Sequence, residues 1–247
     1  MGDEGRKFLR YVMPGLVYGV ETLLFLFIVM PEFTVCVLAK LSDKHALGAI
    51  VGAFLVSGAL GYIFAAVHHW VHWSCCFECF DGKIFDHRPI IKKLRDKKIP
   101  LDDEDSKRLN SSNKREARET AESISLALWY RLLNKEHKLG TDGIDHLLNQ
   151  AHALGTARIA SVFALLTTIG LSMCHGTPDV CHLFPFIRYV VMLILGVVII
   201  LIFDNQYRRV ALFAQKAYDE TLTMLWDSDL SKQAVADPEA RHKNGKI

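Results

Sequence analysis

Two apolar stretches near the start of the chain, residues 11–30 and 46–67, each run for about 20 residues. That is the length an α-helix needs to cross the hydrocarbon of a bilayer, and with no water there to bond peptide groups, a lone apolar segment satisfies its backbone only as a helix. Two further stretches follow after a long polar interval: residues 159–174, short for a span, and residues 183–203, of full length. A content of 51% apolar residues agrees with this pattern, as does a mean hydropathy of +0.18.

The fold expected is all-α and polytopic. A transmembrane hairpin occupies residues 1–68, with spans at about 11–30 and 46–67 joined by a short loop. A helical cytoplasmic insertion covers 69–157, and a second transmembrane hairpin covers 158–203, with spans at 159–174 and 183–203. A cytoplasmic helical extension follows at 204–229, then a polar tail at 230–247. The first stretch follows basic residues, as a signal peptide would, but it carries Glu21 and has no small-residue cleavage motif, so a retained helix is expected.

Lys and Arg set the orientation. Residues 1–10 hold three and the first loop two, whereas residues 175–182 hold none; residues 69–157 hold fifteen and 204–247 seven. The excess places both termini and the middle segment in the cytoplasm, with the bacterial inner membrane as the expected location. A net charge of +2 points to no other partner class.

In the middle segment, Asp102, Asp103 and Ser106 can cap a helix running to about His137, with Gly140 as its stop. Its positions Ala117, Ala121, Ile124, Leu128 and Leu132 recur every three or four residues, the spacing of one buried face. A second helix places Ile144, Leu147, Leu148, Ala151 and Leu154 on one side, with Gly155 as the joint into the third span. Past residue 203, Val210, Phe213, Ala214, Ala217, Thr221 and Met224 form a heptad-like stripe. Either the middle segment or a second subunit has to cover it.

Lipid offers no hydrophobic reward for helix association, so small residues that permit close packing carry information. Gly15 and Gly19 make one GxxxG pattern and Gly48 and Gly52 another; Ser57 and Gly61 continue at intervals of four. They predict close packing of the first two spans, within a subunit or between subunits. Glu21 lies near the middle of the first span, where an ionised carboxylate costs at least a few kcal/mol unless water or a partner meets it. It is the residue expected to line a polar interior or a pore.

The run HHWVHWSCCFEC, residues 68–79, invites a metal reading. His68, His72, Cys75 and Cys79 share one helical face, but eleven residues rise roughly 16 Å, too far for ligands about 2 Å from one ion. A zinc site needs the chain to fold back at Cys76 and Cys79, with His72 and either His68 or His87 completing it. The alternative, and the expected one, is that Trp70, Trp73 and the histidines sit at headgroup depth. Cys174 and Cys181 flank Gly176 and Pro178 in the loop expected outside, where a disulfide can close a small ring.

Signatures of phosphate-binding loops, nucleophile elbows or HExxH zinc enzymes are absent from the sequence, so a non-enzymatic role is expected. One short pattern remains. Arg131 and His137, five residues apart near the end of an amphipathic helix, resemble the Arg-x(4 to 6)-His motif of HEPN ribonucleases. That resemblance implies a dimer cleaving RNA without metal, His137 acting on the reacting groups and Arg131 on the phosphate. Leu132 stands where that family usually has a polar residue. The architecture also resembles helical accessory membrane proteins of RNA-targeting CRISPR systems. The leading expectation is an oligomeric membrane protein, a homo-oligomer in the lipid bilayer, that forms or gates a pore. RNA is a partner only on the HEPN resemblance, and a metal or redox enzyme is the other alternative.

Overall fold

The computed structural model describes residues 5, 8–42, 46–73, 86–96, 101–133, 138–174 and 183–236. Among these there are eight α-helices and no strand: α1 (Met13–Val29), α2 (Pro31–Ser42), α3 (Ala46–Trp73), α4 (Arg88–Asp96), α5 (Asp103–Leu109), α6 (Lys114–Leu133), α7 (Lys138–Cys174) and α8 (Leu183–Ala236). A π-helical turn, Phe8–Val12, leads into α1. Four helices are long and apolar enough to cross a membrane: the one reaching Val29, then α3, α7 and α8. The chain divides into two compact units. One holds residues up to 82 with His146–Val210; the other holds Lys83–Asp145 with residues from Ala211 onward.

In the first unit, α1 and α3 touch at backbone level. A Cβ on Gly15 would land on the main chain of Ser57, and a Cβ on Gly61 on the carbonyl of Tyr11. With no side chain between them the helices come close enough for dispersion to hold them. The Tyr11 and Tyr62 rings stack beside this contact at 4.0 Å and 9°. Gly19, Gly48 and Gly52 meet nothing within 4 Å among the described residues.

The second half of this unit packs around Phe25, Ala164 and Met192, with Leu165 and Ile169 against them. Leu165 fills the place a side chain on Gly196 would take. The other face of α8 is apolar and bare: Ile194 and Leu201 are each 60% exposed, beside Val191, Val197 and Val198. An exposed apolar face of this length is of the kind that marks an interaction surface.

The second unit is built from short amphipathic pieces. Ile90, Ile91 and Leu94 of α4 and Ala117, Ala121, Ile124 and Leu128 of α6 are buried, the α6 positions being those that the spacing predicts. Asp102 caps α5, its Oδ1 accepting from the Asp105 amide at 2.6 Å. Asn113 does the same for α6, accepting from the Arg115 amide at 3.2 Å. The middle of the unit is polar-aromatic. Ser125 Oγ donates to the Tyr218 hydroxyl at 2.9 Å, and the Tyr218 ring stacks on Trp129 at 4.6 Å.

Several details depart from the expectations. The link after the first span is a helix, α2, started by Pro31, whose fixed φ suits the first helical position. The helix expected from Asp102 to His137 is two, α5 and α6, because Asn110 and Asn113 turn the chain between them. Neither Gly140 nor Gly155 interrupts α7. The third span is therefore part of a 37-residue helix. The buried stripe of α8 beyond residue 210 is Ala211, Ala214, Tyr218, Leu222 and Trp226, whereas Phe213 and Met224 are exposed. Tyr218 and Trp226 share this face with Ala211, Ala214 and Leu222. Helix α8 runs on to Ala236, into the segment expected as a tail.

Candidate functional site

Glu21 points into the first unit. It is 7% exposed, and its Oε1 accepts a hydrogen bond of 2.9 Å from Ser161 Oγ on α7. Among the described residues Oε2 has no hydrogen-bond partner. Ser161 has a second acceptor in reach, the Ala157 carbonyl at 3.1 Å, so one hydroxyl proton is shared between the carboxylate and its own helix. Above it, toward the C-terminal end of α7, Tyr18 Oη and Thr167 Oγ1 lie 3.1 Å apart. Thr168 and Ser172 are buried in the same helix, each bonded back to a carbonyl. These hydroxyls make α7 a polar seam within the bundle.

One turn before Ser161, an ionic and aromatic collar closes the bundle. Arg158, 7% exposed, donates through Nη1 to Asp204 Oδ1 at 2.5 Å. Arg208 Nε donates to the other oxygen of Asp204 at 2.7 Å. Two guanidinium groups thus share one carboxylate. The Arg158 guanidinium also lies 4.9 Å from the centre of the Tyr207 ring, a cation–π contact. His68 stands edge-on to Tyr207 at 5.5 Å and 89°, with His152 at 5.5 Å and His69 beyond it, 5.7 Å from His152. Gly155 makes this possible, because a Cβ there would strike the His68 imidazole. The glycine is a seat for a ring.

Between Met13, Pro14 and Val17 of α1, Ala153, Leu154 and Ala157 of α7, and Phe203 and Val210 of α8 lies an apolar groove of about 370 Å³. Val17 and Ala157 are each one turn from the Glu21–Ser161 pair, so the groove ends near the buried carboxylate.

The structure distributes the other candidate residues as follows. Ser57 is buried, with its hydroxyl bonded to the Phe54 carbonyl at 2.8 Å. His68 is turned into the bundle, and His87, in the second unit, lies 3.6 Å from Asp219. Of the proposed zinc ligands, Cys76 and Cys79 lie outside the described residues, as does the His72 side chain. Among the described residues, no three His, Cys, Asp or Glu side chains are grouped to hold a metal ion. Cys174 ends α7 exposed, and Cys181 lies outside the described residues. So does His137; Arg131 belongs to α6, its side chain not among those described.

Sequence reasoning passed over the collar. Arg158 and Asp204 sit immediately outside the apolar stretches, where charges read as boundary markers. The available signal was topological: in an antiparallel hairpin the residue entering one span faces the residue leaving the other, and here these have opposite charge. No family model matches the chain, and no match was found among curated proteins or solved structures.

Proposed function

We propose that this chain is an integral membrane protein whose subunits associate and gate a polar path, with the Glu21–Ser161 pair as the ionisable element of the gate. The observation that carries this reading is a carboxylate buried between apolar helices with one oxygen hydrogen-bonded and the other not. Such a group in hydrocarbon is costly and marks ion or proton traffic by default. Its burial inside the subunit argues for a gating position rather than for the wall of a lumen between subunits. Lys and Arg counts favour both termini and the polar middle segment on the cytoplasmic side of the cell membrane. The bare apolar face of α8 offers the surface on which lipid or another subunit would sit.

Ion flux into proteoliposomes as a function of pH tests this. Glu21→Gln keeps an acceptor for Ser161 and cannot ionise, so flux is expected to persist and its pH dependence to vanish. Single-channel recordings that stay silent with folded protein, together with a monomeric mass in detergent, overturn the proposal.

A further inference from the structure

In the second unit, a cleft of about 490 Å³ opens between α4 and the turn that joins α5 to α6. Three cations line it: Arg88 and Lys92 from α4 and Lys114 from the start of α6. Among the described residues, Asp86 is the one carboxylate in the wall. It is already held by Arg88, at 2.8 Å from Nε and 2.9 Å from Nη2. Arg118 adds a further positive field at Asp86. At the rim, Glu116 accepts from the Ser111 hydroxyl at 2.8 Å. Among the described lining residues, three cations stand against one carboxylate. The cleft volume is in the range of small-molecule pockets, roughly 300–1,000 Å³.

The positive field comes from side chains and not from a helix end, because Asn113 already accepts from the first amides of α6. Cations spread over a flat surface are each solvated separately; converging on a cleft, they act together on one anion. Pro89, Leu109 and Ala117 supply an apolar wall beside them. A flat ring can lie there while phosphate oxygens meet Lys92 and Lys114. Lysine serves phosphate as a point charge, and arginine fits it in the plane of its fork.

We propose that this cleft binds a phosphate-bearing anion of nucleotide size. The phosphate can belong to a soluble nucleotide or to an anionic lipid headgroup, since basic segments beside a membrane attract such lipids.

The test is binding of ATP to the full-length protein in detergent, in EDTA and at low and physiological salt, with adenosine as the uncharged control. Lys92 and Lys114 are both exposed, so Lys92→Glu and Lys114→Glu are expected to fold, checked by an unchanged melting temperature. Each is expected to weaken ATP binding by about tenfold or more, as reversal of a charge next to phosphate demands. Adenosine is expected not to bind. Lys216→Glu makes the same charge change on an exposed side chain of α8 that does not line the cleft, and is expected to leave ATP affinity within a factor of two. Competition between ATP and nanodiscs containing phosphatidylglycerol assigns the phosphate to a lipid. Unchanged ATP affinity in their presence assigns it to a soluble anion, and both results support the cleft. The proposal is overturned if ATP shows no saturable binding, if adenosine binds as well as ATP, or if Lys216→Glu weakens binding as much as the cleft variants.

Discussion

The Arg158 guanidinium meets the Asp204 carboxylate at 2.5 Å, tying α7 to α8 across 46 residues of chain. The side chains retain only 9% and 25% of their exposure, so each charge depends on the other for much of what water would supply. Arg208 then holds the second oxygen of the same carboxylate.

Removing one partner leaves the other charge buried. Arg158→Ala and Asp204→Ala are each expected to cost roughly 3 kcal/mol, the scale for breaking a buried pair. Replacing both by apolar residues, Arg158→Met with Asp204→Leu, is expected to cost less than the sum of the two single changes. Thermal unfolding in one detergent measures all of these. Additive losses would show that the two side chains act independently.

The glycines divide into two classes with opposite expected responses. Gly61→Ala puts a methyl group on the Tyr11 carbonyl, and main chain cannot move aside as a side-chain tip can. A loss of about 1 to 3 kcal/mol is expected, the usual cost of overpacking. Gly52→Ala enters open space, and a gain of up to about 1 kcal/mol follows from the better helix propensity of alanine. Equal responses at the two positions would contradict the backbone contact between Gly61 of α3 and Tyr11 in the turn that leads into α1.

Gly155 and His68 form a size-matched pair. Gly155→Val is expected to destabilise the first unit by about 2 kcal/mol as the imidazole is pushed from its seat. His68→Ala in the same chain is expected to recover part of that loss. The measurement is a double-mutant cycle on melting temperature, with a coupling free energy near zero as the contrary result.

Asp86 gives the second unit a pH dependence. Burial alone pushes its carboxyl up, but the side-chain and backbone hydrogen bonds from Arg88, with the charges of Arg88 and Arg118, bring it below the ordinary carboxylate range. A folded-state value below the unfolded one means the contribution is fully present above about pH 4 and is lost as pH falls through the folded value. Acid unfolding followed in the wild type and in Asp86→Asn checks this. The variant should be less stable at neutral pH, and the gap between the two should close on acidification.

Much of the helical architecture was legible because the rise per residue converts an apolar length directly into a membrane-sized helix. The buried face of α6 was legible for a similar reason, since Ala117, Ala121, Ile124 and Leu128 keep a helical period. What escaped depended on partners distant in sequence. Aliphatic spacing caught Ala214 but passed over Tyr218, which is buried with a hydrogen bond from Ser125 and a stack on Trp129. Gly155 reads as a joint until His68, 87 residues earlier, is seen to occupy the space beside it. Glu21 was legible as an anomaly, but not Ser161, since a serine beside alanines in an apolar helix carries no mark of its neighbour.

The Glu21–Ser161 pair also has a consequence for biosynthesis. The carboxylate leaves the ribosome 140 residues before the hydroxyl that will meet it. At about 5 to 20 residues per second that is an interval of roughly 7 to 28 s. On the proposed topology, the first hairpin enters the bilayer with its acid still lacking that donor. Until the second hairpin follows, whatever satisfies that acid on the proposed topology is something other than Ser161.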